Sequence, residues 1–473
     1  MIGRQKEVDE LIRMYESDES EFVAVYGRRR VGKTYLIRET FADRFAFRHA
    51  GLADEGLKNQ LKNFHQSLLE AGCSVKVCPR SWIDAFALLK KTLGEKGTGR
   101  KIVFIDEMPW LDTPRSGFVS ALEAFWNGWA SARKDILLIV CGSAASWMVK
   151  NLLRNRGGLH NRVTCRIRLL PFTLGECEAF VKERGLAMTR LDIAECYMAL
   201  GGIPYYWRYL DKRFGVVENI DRLFFVPSAP LGEEFVELYA SLFKNAALHK
   251  KVVEALATKK VGMTLAEVAE AIKVGVSGKL TEVLANLEWS GFIRKYAVFG
   301  SRKKNAVYQL MDNFTLFHFR FLTGASNGDP HFWTSTVSSP IQHNWRGLSF
   351  EMLCLQHGEA IRKALGVGGV HVGMSAWRHV GDAVYPQGAQ IDLLIDRSDN
   401  VINVCEMKYS AAAYALDKKE ADRLVTRMET FRVVSKTKKA LHLTLVTPGG
   451  VVHNSYWHRI QSIVTLDDLF VTV

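Results

Sequence analysis

No apolar run in the 473 residues approaches the roughly 18 that a membrane-spanning helix needs, so no transmembrane segment is expected. The N-terminus carries Arg4, Lys6, Glu7 and Asp9 where a secretory leader would have an apolar core, and a cytoplasmic chain is the expectation. Cysteine is sparse and scattered: of eight, the nearest pair is Cys73 and Cys78, and no C-x-x-C occurs. With Cys141 and Cys405 inside apolar strands, the thiols read as reduced core residues and not as disulfides or zinc ligands. Internal repeats, low-complexity segments and long Gly/Ser linkers are absent too, which argues against solenoids and flexible arrays. Acidic charge is in deficit, 50 Asp and Glu against 63 Lys and Arg for a net +13. That balance favours a polyanionic partner, nucleic acid first, over an acidic small molecule. What remains is 48% hydrophobic and globular, long enough for about three domains.

Within this background one segment carries chemistry. Phe22 to Tyr26 is apolar, β-branched and aromatic, and it runs into Gly27-x4-Gly32-Lys33-Thr34, followed by a helix-compatible stretch from Tyr35 to Phe41. Strand, glycine loop and helix in that order form a phosphate-binding P-loop. Chance gives this pattern about 0.02 times in a chain of this composition. The backbone from Gly27 through Arg28, Arg29, Arg30, Val31 and Gly32 to Tyr35 is expected to cradle the phosphates of ATP, with Lys33 on the β- and γ-phosphates and the Thr34 hydroxyl on Mg²⁺. A later strand, Lys101 to Glu107, ends in the paired acids the mechanism requires: Asp106 to hold Mg²⁺ through water and Glu107 to polarise the attacking water. Alone, this pair reads equally as the solvated end of a core strand. A third apolar strand, Ile136 to Cys141, leads to Gly142-Ser143, where Ser143 either senses the γ-phosphate or caps the next helix.

Strand candidates at Phe22–Tyr26, Phe45–Ala50, Ile102–Asp106, Ile136–Cys141 and Thr164–Leu170 alternate with helices, which predicts an α/β core with a parallel sheet over residues 1–171. Residues 172–245 read as a helical lid. Over 246–312 the order is helix, capped helix from Thr264, helix Ser277 to Ser290, then two strands joined by Gly300-Ser-Arg302-Lys303-Lys304, which predicts a winged helix. Residues 246–310 hold 11 Lys and Arg against 5 Asp and Glu, and the basic hairpin tip is placed to meet DNA phosphates, although a helix set used only for packing would read similarly. Residues 313–473 open on an aromatic helix and a Gly/Ser/Pro stretch over 324–340, then contain two strands, Gln390 to Asp396 and Val401 to Lys408, joined by a polar turn. Glu406 and Lys408 lie two apart and share a face. Asp392 and Glu406 are then expected around one Mg²⁺, with Lys408 near the nucleophile and Glu351 on a helix from Leu348 to His357 as a further ligand. That is the D-x(n)-E-x-K pattern of metal-dependent phosphodiester cleavage, which a solvated strand edge would also imitate.

On these motifs the chain resembles the archaeal-type ATPases of the AAA+/STAND group. Ile2-Gly3-Arg4-Gln5-Lys6-Glu7, the P-loop, Ile105-Asp106-Glu107, Cys141-Gly142-Ser143 and Gly201-Gly202-Ile203-Pro204 are similar to the motifs of that family over about half the chain. The resemblance implies that Gly3 and Arg4 lie near the adenine, that Pro204 belongs to the nucleotide site, and that Arg162 acts on the γ-phosphate, with Arg154 and Arg156 as alternatives. The C-terminal region is similar to a domain of restriction-endonuclease type, PD-(D/E)xK, on Glu351, Asp392, Glu406 and Lys408. The expected whole is a P-loop ATPase with a winged helix and a nuclease-like α/β domain, using ATP and Mg²⁺ and partnering DNA, with homo-oligomerisation left open. The rival readings are a slow regulatory switch whose nuclease-like fold only binds, and a protein-remodelling ATPase.

Overall fold

The computed structural model describes residues 1–154, 157–243, 245–300, 306–324, 328–381 and 388–471. The chain divides into two compact units, Met1–Pro171 with Trp289–Gly291, and Phe172–Glu288 with Phe292–Val473.

The first unit is built on five parallel strands, β1 (Glu21–Gly27), β2 (Phe45–Ala50), β3 (Lys101–Asp106), β4 (Ile136–Gly142) and β5 (Cys165–Leu169), in the order β2-β3-β4-β1-β5. Every residue of β3 and β4 is buried, as expected for parallel strands covered by helices on both faces. Below the sheet, Phe22, Phe64, Trp82, Phe86, Phe118, Phe125 and Trp126 join helices Leu57–Glu70, Trp82–Gly94 and Phe118–Gly128 in one core. Each such ring contributes about 1.5–3 kcal/mol on burial, which fixes the strands that carry the site. Because all five strands point the same way, the loops after β1, β3 and β4 leave from one edge, and the order sets β4 between the other two.

The second unit begins with helices Leu174–Glu183, Arg190–Leu200, Val216–Phe224 and Glu234–Leu242. Then come helix Ala246–Ala257, β6 (Met263–Thr264), helices Leu265–Ala271 and Gly278–Trp289, and β7 (Ile293–Ala297) with β8 (Ala306–Leu310). Thr264 starts its helix through a capping box with Glu267, as its sequence predicts. The three strands pair antiparallel in the order β6-β8-β7. The expected basic tip, Arg302, Lys303 and Lys304, lies outside the described residues.

A second sheet follows, with β9 (Val372–His379), β10 (Ala389–Arg397), β11 (Val401–Met407), β12 (Ala440–Val446) and β13 (Ser462–Val464) in the order β13-β12-β11-β10-β9. β9, β10 and β11 run antiparallel, whereas β12 and β13 extend β11 in parallel. Helix Pro340–Gln356 packs on β11 and helix Lys418–Ser435 on β10. The first of these is considerably longer than expected. Pro340 closes the Gly/Ser/Pro stretch in the sequence, yet it occupies the opening turn of this helix behind the Ser339 cap, where its missing N–H costs nothing. Among the described residues no helix is long and apolar enough to cross a membrane.

Candidate functional site

The loop after β1 turns at Gly27 (φ 150°), where a Cβ would lie 2.2 Å from the Leu169 carbonyl oxygen, so only glycine lets the loop leave the sheet here. It ends at Gly32 (φ 92°), beyond which helix Lys33–Phe41 aims its first backbone N–H groups and positive dipole end into the loop. No atom lies within 4 Å of where a Gly32 Cβ would project, which leaves a cradle over the helix start. Lys33 is buried, and its ammonium donates to the carbonyls of Gly27 (3.3 Å) and Arg28 (3.0 Å) and to Ser143 Oγ (3.1 Å). Burial lowers its pKa against the pull of Glu107, Cys141 and Asp106. A desolvated cation held by neutral oxygens is suited to exchange them for phosphate oxygens.

Across the edge, Thr34 Oγ1 donates to Asp106 Oδ2 at 2.7 Å, so the two expected Mg²⁺ ligands already meet. The other Asp106 oxygen accepts from the Glu107 N–H (2.8 Å) and from the Cys141 thiol, whose pKa burial pushes far up. Oxygen donors of this kind fit Mg²⁺, which completes its shell with water and phosphate. Glu107 stands in the left-handed region at φ 43° and accepts from Ser143 twice, at 3.1 Å from N–H and 2.6 Å from Oγ. Ser143 therefore bridges Lys33 and Glu107. It caps nothing: the next helix, Ala145–Met148, has Ala144 at its cap position. Gly142 permits this approach, because a Cβ there would sit 2.5 Å from the ring of Pro109, two residues beyond Glu107.

The other residues singled out from sequence occupy different places. Arg4 (φ 64°) follows Gly3 (φ 58°), caps helix Gln5–Tyr15 and is buried, with its guanidinium donating to the Leu170 carbonyl at 2.7 Å and reaching the Val31 carbonyl at 3.5 Å. It braces the P-loop from behind. Arg28 is buried, Arg29, Arg30 and Val31 complete the loop, and Tyr35 is 56% exposed on the helix. Arg162 is exposed on a turn before β5, and its side chain makes no hydrogen bond or ion pair among the described residues. Arg154 lies over the Trp289 ring, and Arg156 is outside the described residues. Pro204 belongs to the second unit and opens the short helix Pro204–Trp207, while the Gly202 carbonyl accepts the Phe172 N–H at 2.6 Å.

In that unit the β10–β11 register pairs Leu393 with Cys405, so one step on sets Asp392 across from Glu406. Lys408 joins Glu406 at 3.1 Å, as their shared face predicts. The expected meeting of Glu351, Asp392 and Glu406 on a single cation is not formed: among the described residues no three Asp, Glu, His or Cys side chains are spaced to hold a metal. Side-chain cations stand there instead. Lys260 binds both Glu351 and Asp392, the latter at 3.4 Å. Arg427 binds Glu406, Lys408 also meets Glu420 at 3.2 Å, and Arg423 lies 3.7 Å from Glu406. Burial, with the charge of Asp392 added and Lys260 opposing, pushes the Glu351 carboxyl up to about 7. As arranged, this set does not fit a divalent cation. Of the three cations missed from sequence, Arg423 and Arg427 were findable, since Glu420, Arg423 and Arg427 follow the three- and four-residue spacing of one helix face. Lys260 gave no local signal.

Residues 1–210 match the model of a family described as an ATPase domain predominantly from Archaea. The N-terminal region is thus similar to archaeal-type ATPase domains, and it has a P-loop α/β fold. An uncharacterized protein of Methanocaldococcus jannaschii, MJECL04, is 27% identical over 331 residues, covering 68% of either chain. Among solved structures, the Walker-type ATPase PABY2304 of Pyrococcus abyssi shares 17% identity over 68% of this chain and 96% of its own, with a TM-score of 0.47. The ORC2 protein of Aeropyrum pernix shares 13% over 72% and 96%, with a TM-score of 0.41.

Proposed function

We propose that the first unit binds ATP with Mg²⁺ and hydrolyses it, and that the second engages DNA. The observation that carries the ATPase reading is the bridge from Lys33 through Ser143 to Glu107 beside the Thr34–Asp106 pair. Mg²⁺ held at Thr34 and Asp106 would neutralise phosphate charge. Lys33, drawn onto the phosphates, releases Ser143 Oγ; Ser143 then donates to the nucleotide, and Glu107, freed from its tether, orients and polarises the attacking water. Phosphate release by the full-length protein, dependent on both ATP and Mg²⁺, tests this directly.

The DNA reading rests on the net +13 and on the order of elements over 246–310, three helices followed by an antiparallel pair, which is the order of a winged helix. Replacing Arg302, Lys303 and Lys304 together with Ala is expected to weaken duplex binding uniformly across sequences and to flatten its salt dependence by up to about three ions' worth. Fluorescence anisotropy at several salt concentrations reads both. Unchanged affinity moves the DNA surface elsewhere.

The C-terminal region supports competing readings. The hairpin that places Asp392, Glu406 and Lys408 together supports a metal-dependent deoxyribonuclease. The cations seated on those carboxylates support a nuclease-like fold that serves as a binding module in an ATP-dependent switch. With plasmid, Mg²⁺ and ATP, nicking that disappears in Asp392→Ala decides for the first; an intact plasmid with the wild-type protein decides for the second.

A further inference from the structure

The loop after β1 carries three arginines in a row, and they are not equivalent. Arg28 is buried, and Arg30 takes the turn in the left-handed region at φ 71°. Arg29, between them, is half-buried, and among the described residues its side chain makes no hydrogen bond or ion pair. A guanidinium that gives up part of its water without gaining an acceptor is costly, because its N–H donors have nothing in place of the solvent they lose. Its charge nevertheless bears on the site. Burial is the main cause of the lowered Lys33 pKa, and Arg29 adds to it against the opposing pull of Glu107, Cys141 and Asp106. Arg29 thus stands near the phosphate-binding ammonium with its own donors unspent.

The electrostatics of the site show what those donors are suited to. Asp106 and Glu107 face the loop, so even with Mg²⁺ held at Thr34 and Asp106 a triphosphate drawn onto Lys33 keeps surplus negative charge, most of it on the terminal phosphate. The loop offers room for such a group, since nothing lies within 4 Å of where a Gly32 Cβ would project. Arginine answers this need better than lysine does, because its planar fork holds two phosphate oxygens at once. Arg162, to which the family resemblance gives this task, is exposed on its turn before β5, and it is not among the groups whose charge weighs on Lys33.

We propose that Arg29 is the arginine that grips the γ-phosphate, acting from within the P-loop, so that the site tells ATP from ADP with a side chain of its own loop. The inference rests on the ATPase reading of the first unit and assigns within it the group that reads the terminal phosphate. In the reaction the water oxygen bonds to the γ-phosphorus while the bond from that phosphorus to the β–γ bridging oxygen breaks. The electron pair of that bond leaves with ADP, one water proton passes to Glu107, and inorganic phosphate is the second product. Arg29 holds the outer γ-oxygens throughout, where charge is spread in the transition state.

The test is calorimetry of the full-length protein with Mg²⁺ and either ADP or a non-hydrolysable ATP analogue, beside single-turnover phosphate release. Arg29→Ala should weaken the analogue by about tenfold or more while ADP stays within about twofold of wild type, and phosphate release should slow by about a hundredfold or more. Arg29→Lys, which keeps the charge without the fork, should recover part of the preference for the analogue. Arg29→Gln takes the place of the Ala variant if the latter does not give a cooperative melt. Equal losses for ADP and the analogue overturn the inference, since Arg29 then only shapes the loop; so does an unchanged preference in Arg29→Ala, or its loss in Arg162→Ala alone. If the preference disappears with Arg29 but the wild-type protein releases no phosphate, the γ-phosphate contact stands and the hydrolysis reading falls. A wild-type protein that binds neither nucleotide overturns both.

Discussion

Lys33→Ala is expected to reduce ATP turnover to background and to weaken ATP binding by more than tenfold, because it removes the one lysine ammonium inside the P-loop. The residue is 5% exposed and, among the described residues, its ammonium donates to the Gly27 and Arg28 carbonyls and the Ser143 hydroxyl. None of these neutral partners compensates a full charge, and burial accordingly lowers the Lys33 pKa. The arrangement costs the empty protein stability and gains its return when anionic oxygens arrive. The variant should therefore melt no lower than wild type while losing function. Removing a preorganised charge-stabilising donor typically costs about 10²–10³ in rate, and this one also contributes to binding. Calorimetry with a non-hydrolysable ATP analogue and a phosphate-release assay separate the two effects. Turnover near the wild-type level would remove the P-loop assignment.

How much of this was readable beforehand depends on whether the interaction is local in sequence. The P-loop is local: Gly27, Gly32, Lys33 and Thr34 sit within eight positions, and each residue type has a single job. Asp106, Glu107 and Ser143 are distant, yet they were legible because parallel strands must deliver their ends to one edge, so the residue after each apolar run is a candidate. The choice between sensing and capping at Ser143 was not legible, since it turns on a hydrogen bond across 36 positions. Arg4 illustrates the same limit. Its motif was clear, but the carbonyl it holds, at Leu170, lies 166 positions away. In the second sheet the hairpin of β10 and β11 could be read from alternation and its polar turn. β9 could not, because an edge strand containing Gly373 and only two buried residues has no pattern to show. The carboxylates were identified and their neutralisation by Lys260 was not: a long-range ion pair between two surface-prone residue types leaves no trace in composition or spacing.

Glu107→Gln should behave in the opposite way to Lys33→Ala, keeping ATP and losing hydrolysis. The side chain hydrogen-bonds Ser143 and not the Lys33 ammonium, and the Thr34–Asp106 pair is independent of it. Gln has the same shape and can sit in the same left-handed backbone position without new strain beyond that already present at φ 43°. Its carboxamide still accepts one hydrogen bond from Ser143. It cannot take up negative charge, so it polarises water poorly, and loss of a general base or water-orienting carboxylate costs about 10²–10⁴ in rate. ATP affinity should remain within a few-fold of wild type, with single-turnover phosphate release at least a hundredfold slower. Single-turnover measurement matters here because it reports the chemical step separately from product release. If binding and chemistry fall together, Glu107 shapes the pocket instead of activating water; if the rate is unchanged, the attacking water is oriented by another group on the same sheet edge, and the Lys33–Ser143–Glu107 bridge is structural.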